Sequence, residues 1–299
     1  MTHRSGLRRR LFHLLTSIAV LGLVLVATPS AASAATGDGV LRHVHSSGRF
    51  NVSRRLLEKD LDRFMADTDL VTMTEVHSTS RASALKEPGW ERFWQSGHRR
   101  GECGMSWRTS AWTLVTGTTA VLTRKTFHTA RNDKRKTVGR AASVVLRSVS
   151  SGRTVLVSVG HLPTNVERAD GRGWSHESPD RVAAYKDAIA GWRRHVRAMV
   201  GEQAPDVVLV AGDWNLDLKR SWVRRWLRGK WDDLGITDLT WKAPYPRGGT
   251  FVDHLFGRTR RRLIDGTLMS GGSYSWAGHL MHDIRSSDHN PYREAIALP

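Results

Sequence analysis

The run Val208-Leu209-Val210-Ala211-Gly212-Asp213-Trp214-Asn215 closes an apolar segment with a glycine, an acid and, two residues on, an amide. If the extended backbone continues, the Asp213 and Asn215 side chains project to the same side. Ser286-Ser287-Asp288-His289-Asn290-Pro291 sets an acid beside an imidazole just before the last apolar run. Thr72-Met73-Thr74-Glu75-Val76 ends another apolar segment in a glutamate, and Gly160-His161-Leu162 ends a third in a histidine. Val252-Asp253-His254-Leu255-Phe256 carries one more carboxylate in apolar surroundings. Taken singly these are ordinary, because Gly, Asp and Asn are common turn residues. Taken together they hold what phosphodiester cleavage demands. Charge on the transition state must be neutralised, a water activated and the leaving oxygen stabilised. Carboxylates without cysteine favour a hard cation, Mg²⁺ or Mn²⁺. An imidazole paired to a carboxylate serves as base or as a phosphate-contacting acid.

Rigid elements have to position these groups. Strand-like and helix-like pieces alternate with short breakers, which implies an α/β or α+β domain. Residues 52–66 have helical spacing, with Leu57, Leu61, Phe64 and Met65 on one face. Leu70 to Met73 reads as a strand delivering Glu75, and Gly117 to Leu122 as another. Ser143 to Val149 and Thr154 to Gly160 alternate around a Ser150-Ser151-Gly152 turn and predict a hairpin. Ser178-Pro179 opens a helix with apolar residues from Val182 to Met199, and Gly201 is expected to end it. Asp206 to Ala211, Phe251 to Phe256, Leu263 to Leu268 and Glu294 to Leu298 complete the expected strands. Glu75, His161, Asp213 with Asn215, Asp253, and Asp288 with His289 all fall at strand ends, where a scaffold holds side chains open to substrate.

In order and content the five motifs resemble the endonuclease/exonuclease/phosphatase superfamily, with Gly212-Asp213-Trp214-Asn215 and Ser287-Asp288-His289 the most specific. The resemblance runs from about residue 40 to the C-terminus. It implies a two-sheet α/β sandwich flanked by helices, the four-layer DNase I-like fold, with the site at one edge of the sheets. It also implies roles. Glu75 would be the main metal ligand, with Asp288 nearby. His289 would contact the scissile phosphate or act as base, oriented by Asp253. Asp213 and Asn215 would position water and phosphate, and His161 would donate to a phosphate oxygen from the opposite side. Asp213 and His289 both qualify as the group that deprotonates water.

One departure stands out. The family usually ends its first strand in an asparagine that helps hold the metal. Here Asn51 looks right locally but lies close to Glu75, whereas the better strand, Val40 to His45, ends in histidines. Asn51 is the expected third ligand, with His43 or His45 as the alternative.

The first 35 residues read as a signal peptide: Arg4 and Arg8 to Arg10, an apolar run to Ala27, then small residues that offer cleavage points. Arg9-Arg10-Leu11-Phe12 also resembles a twin-arginine export signal. Residues 36–299 then form one large domain, secreted to the medium or the cell wall and expected to be monomeric. No second apolar stretch could span a membrane. Cys103 is the only cysteine, which excludes an intrachain disulfide and a thiolate metal cluster. Cleavage would take the formal charge from +18 to +14 by removing four arginines.

A chain this basic is drawn to polyanions. Arg131 to Arg140, Lys219 to Trp231 and Arg258 to Arg262 concentrate positive charge. Trp222 and Trp226 have the spacing of a core-facing helix stripe. His279, His282 and Asp283 are expected in a glycine-rich polar loop. The first functional expectation is metal-dependent hydrolysis of DNA or RNA. Two others stay open: a phospholipid or sugar-phosphate ester as substrate, and polyanion binding without catalysis.

Overall fold

The computed structural model describes residues 39–49, 52–95, 102–128, 135–137, 139–236, 238–239, 250–255 and 258–299. The proposed signal peptide and Asn51 lie outside them. In chain order the N-terminal half contains β1 (Val40–Ser47), α1 (Arg54–Ala66), β2 (Leu70–Thr74), α2 (Thr79–Ala84), β3 (Trp90–Trp94) and β4 (Cys103–Arg108). The long strand β5 (Trp112–Val121) and the short β6 (Thr126–His128) and β7 (Arg135–Thr137) follow. Then come β8 (Arg140–Ser148), β9 (Thr154–His161), α3 (Pro179–Gln203), β10 (Val207–Asp213) and α4 (Ser221–Trp231). The chain closes with β11 (Asp238–Leu239), β12 (Phe251–Leu255), β13 (Arg258–Arg262), β14 (Asp265–Ser270), β15 (Ser273–Leu280) and β16 (Tyr292–Ala297).

Two six-stranded sheets form, in the orders β15-β16-β1-β2-β4-β3 and β11-β14-β10-β9-β8-β5. Their inner faces share one core, in which Leu41, Leu70, Met105 and Trp107 of the first sheet meet Val144, Val157 and Leu209 of the second. Helices α1 and α2 cover the outer face of the first sheet through Leu57, Leu61, Phe64 and Ala82. Helices α3 and α4 cover the second through Tyr185, Trp192, Val223 and Trp231. The result is the α/β sandwich of four layers. Every residue of β2 and β10 is buried, which is why LVTMT and VVLVAGD read as continuous runs instead of alternating.

Local chemistry explains the element ends. Ser53 caps α1, its side chain accepting from the Leu56 amide. Pro179 opens α3 at its first turn, as its spacing predicts, but the helix runs through Gly201 and stops at Ala204 in a left-handed turn. An interior glycine costs about 1 kcal/mol relative to alanine, and the packed stripe Tyr185, Ile189, Trp192, Val196 and Met199 outweighs it. His279, expected in a loop with His282 and Asp283, belongs instead to the edge strand β15, paired with β16 across two irregularities in register. Those irregularities break the period-two pattern by which a strand is recognised. Trp222 and Trp226 pack against the core, as the helix spacing implied.

Candidate active site

The site is built from registers. Strand β10 lies between β9, parallel, and β14, antiparallel, pairing Asp213 with His161 on one side and Asp265 on the other. Three chemical side chains therefore sit in one row across three strands. On the facing sheet β1 runs parallel to β2 with Ser47 opposite Thr74, one residue before Glu75. Glu75 itself adopts a left-handed φ of 61°. For a residue with a side chain that conformation is strained, and it turns the carboxylate off the strand axis.

Ser47 Oγ donates to Asp265 Oδ1 at 2.7 Å, tying the two sheets together at the site. His289 Nδ1 donates to Asp265 Oδ2 at 2.7 Å. Its ring packs on Phe251 at 4.8 Å between centroids. His161 lies between two acids, with Nδ1 3.6 Å from Glu102 Oε2 and Nε2 3.5 Å from Asp213 Oδ2. Asp213 Oδ1 accepts from the Asn215 amide at 2.9 Å, and Asn215 Nδ2 donates to Leu162 O at 2.8 Å. Asn215 thus ties the exits of β9 and β10, holding His161 and Asp213 at a fixed separation.

These contacts set the charges. Burial works against a charged His289, but Asp265, Asp213 and Asp288 overcome it and raise its pKa to about 10. Burial likewise opposes charge on His161, and Glu102, Asp213 and Glu75 raise it to about 9. Asp265 is buried, yet His289 and Ser47 hold it well below the usual carboxylate range. Asp213 moves the other way, pushed up by burial and by the neighbouring Asp265. Burial would raise Glu75 too, but His77, His161 and His289 bring it below its ordinary value. Two acid–imidazole pairs therefore flank one acid that is poised to hold a proton.

The sequence-predicted residues converge in large part. His161 and Asp213 sit in the row and His289 joins it through Asp265, Glu75 interacts electrostatically with both histidines, and Asp288 adjoins His289. At His289 Nδ1, where Asp253 was expected, the partner is Asp265. Asp253 belongs to β12 of a separate two-stranded ribbon, and its side chain lies outside the described residues. The first strand also differs from expectation, extending to Ser47 instead of ending at His45. Ser47 occupies the terminal position that an asparagine was expected to fill. His43 is engaged with Glu294 and Thr72 inside the sandwich, while His45 faces Asp265.

The donors suit a divalent cation. One ligand atom each from Asp213, Asp265 and His289 lies within 4.8 Å of the others, and Asp265 is a cause of the raised Asp213 pKa. A hard cation would relieve that like-charge crowding, and the donor set is mainly oxygen.

A four-layer sandwich with acid–imidazole pairs at one shared edge belongs to the DNase I-like class of folds. The family model described as "Endonuclease/Exonuclease/phosphatase family" matches residues 44–289, and the chain belongs to that family. Its members are phosphoric-ester hydrolases that generally use divalent metals. A search of curated protein sequences returns no match. Among solved structures, the endonuclease/exonuclease/phosphatase from Bacteroides vulgatus is similar with a TM-score of 0.61 at 13% identity, over 87% of this chain and 99% of that one. The mannosyl-6-phosphatase of Bacteroides thetaiotaomicron gives 0.56 at 15% identity, over 86% and 99%. TDP2 of D. rerio, in complex with a single-strand DNA product, gives 0.55 at 14% identity, over 87% and 99%.

Proposed function

We propose that this chain is an exported, divalent-metal-dependent phosphodiesterase that hydrolyses nucleic acid. The observation that carries the reading is the row His161–Asp213–Asp265 with His289 bonded to Asp265. At neutral pH both imidazoles carry their protons, so each can donate to a phosphate oxygen and neutralise charge as the bond breaks. Asp213, with its raised pKa, takes the proton of the attacking water. Asp265 keeps His289 charged and oriented, and Asn215 fixes the distance between His161 and Asp213. Glu75 and Asp288 would hold the cation, Mg²⁺ or Mn²⁺, beside the clustered carboxylates of Asp213 and Asp265. When bound, the cation neutralises negative charge gathering at the phosphate.

Nucleic acid is favoured by the formal charge of +14 left once the four arginines of residues 1–35 are removed from +18, and by the fold likeness to a protein captured with a single-strand DNA product. The fold likeness to a mannosyl-6-phosphatase keeps sugar phosphates in the test. Residues 1–35 act as a cleaved signal peptide, and residues 36–299 work as a secreted monomer. The experiment is an assay of the chain beginning at residue 36 on plasmid, RNA, sphingomyelin and mannose 6-phosphate, each with Mg²⁺, Mn²⁺ or EDTA. Metal-dependent cleavage of a nucleic acid is expected. Turnover of only the sugar or lipid ester would move the substrate, and metal-independent turnover would overturn the reading.

A further inference from the structure

Behind Asp265 runs a buried line of polar side chains that the proposed reaction does not use. Glu294 Oε1 meets His43 Nδ1 at 2.8 Å, and His43 Nε2 meets Thr72 Oγ1 at 2.7 Å. The same Thr72 oxygen meets His45 Nδ1 at 2.9 Å. His45 Nε2 then faces Asp265 Oδ1 at 3.8 Å and, among the described residues, has no hydrogen-bond partner. Both histidines and Glu294 are fully enclosed, with 0% exposure.

A threonine hydroxyl donates one proton and accepts through two lone pairs, so Thr72 can donate to His43, to His45 or, at 3.5 Å, to the Val44 carbonyl. If Thr72 donates to His43 or to Val44, it accepts from His45 Nδ1–H. A neutral His45 then turns a bare Nε2 lone pair toward an ionised Asp265, which repels it in a dry interior. If Thr72 donates to His45 Nδ1, a proton resides on His45 Nε2 and points at the carboxylate. The Glu294–His43 pair then shares one proton across its contact, and His43 Nε2–H donates to Thr72. Of the three arrangements, only donation to His45 makes the contact with Asp265 attractive.

We propose that His45 is a positioning residue for the Asp265–His289 pair: a neutral imidazole locked by Thr72 with its proton on Nε2, steering the Asp265 carboxylate from behind. Asp265 is thereby held on three sides, by His45 and Ser47 at Oδ1 and by His289 at Oδ2. The carboxylate plane is fixed, and with it the orientation of the His289 ring. The kinetic part of this inference rests on the phosphodiesterase reading, whereas the tautomer does not.

The test joins a spectrum to kinetics. Nitrogen-15 spectra of the wild-type chain, without metal and with Mg²⁺, report which ring nitrogen of His45 is protonated. A protonated Nε2 and a bare Nδ1 are expected, and Thr72→Val should unlock that preference. A protonated Nδ1 with a bare Nε2 would overturn the proposal. With bis(p-nitrophenyl) phosphate as probe, His45→Leu should lower kcat about tenfold at little-changed KM. His45→Gln, which returns an N–H near the position of Nε2, should recover most of that loss. A folded His45→Leu with wild-type kcat, or a His45→Gln no better than His45→Leu, would refute the steering role. A wild-type chain inactive on the diester would instead refute the phosphodiesterase reading and leave the spectrum to decide the tautomer.

Discussion

Asp265 carries more of the site than any other single side chain, because three groups converge on it and its charge fixes the state of His289. Asp265→Asn keeps the shape but removes the charge that holds His289 protonated. A loss in kcat/KM of about a hundredfold or more is expected for such a general-acid partner. Asp253→Asn should change the rate far less, and steady-state kinetics of the two variants separate them. The histidines also set a pH signature. Their folded pKa values of about 9 and 10 lie above the ordinary histidine value of 6.5. The folded state therefore binds more protons than the unfolded state between those limits. Their stabilisation is fully present below pH 6.5 and is lost as pH rises through 9 to 10. Thermal melts of metal-free protein should show Tm falling across that window. His161→Gln should remove part of the fall, and an unchanged slope would count against the Glu102–His161 pair. Asp213, pushed up by burial and Asp265, should let protons compete with the cation on the acid side of neutrality. Calorimetric titration with Mn²⁺ should show weakening affinity as pH drops.

Glycine lets the strands and helix of the second sheet approach closely enough to form the row. Gly160 and Gly212 pair across β9 and β10, each one residue before a chemical side chain. Trp192 of α3 lies over both, and a methyl group on Gly160 would meet its ring at 2.7 Å. On Gly212 it would meet the Gly160 carbonyl oxygen at 2.2 Å, where no side chain can yield. Gly212→Ala should therefore cost about 1–3 kcal/mol, at the strained end of overpacking, and urea denaturation measures it. On the other sheet, helix α1 clamps the loop that carries Asp288 and His289. Asp60 Oδ2 accepts from the Arg285 and Ser286 amides, and Arg63 donates to the His282 and Asp283 carbonyls. Asp60→Ala leaves the buried Ser286 amide and the part-buried Arg285 amide without that acceptor and should lower both Tm and kcat. The strand ends could be read from sequence because continuous apolar runs stop at Gly, Asp or His. Asp265 was harder to find. It lies inside the expected strand Leu263 to Leu268, and Asp253 sits in an equally apolar frame. Only the register of β14 on β10 separates them. Glu102 has no sequence pattern of its own and enters the site through the fold. Ser47 could not be singled out because β1 continues past its histidines, whose polarity in a buried strand is offset by Thr72 and Glu294.

At the scale of the molecule, the two sheets bring residues from 47 to 289 to one edge of a strongly basic chain. None of the helices among the described residues is long and apolar enough to cross a membrane. The charge predicts a steep salt dependence for a polymeric substrate, since each phosphate contact releases counterions. A flat dependence of KM on salt would favour a small ester. Fold class, layer order and most of the site were legible because the motifs lie where an open-edged sandwich needs strand ends. Substrate was not, because a basic surface attracts any polyanion.

The most direct test is metal-dependent turnover by wild type and Asp265→Asn side by side on supercoiled plasmid and RNA, with Mg²⁺, Mn²⁺ or EDTA. Cleavage by wild type that EDTA abolishes and Asp265→Asn reduces at least about a hundredfold is the predicted result. Cleavage that survives EDTA, or an Asp265→Asn variant as fast as wild type, would contradict the site described here.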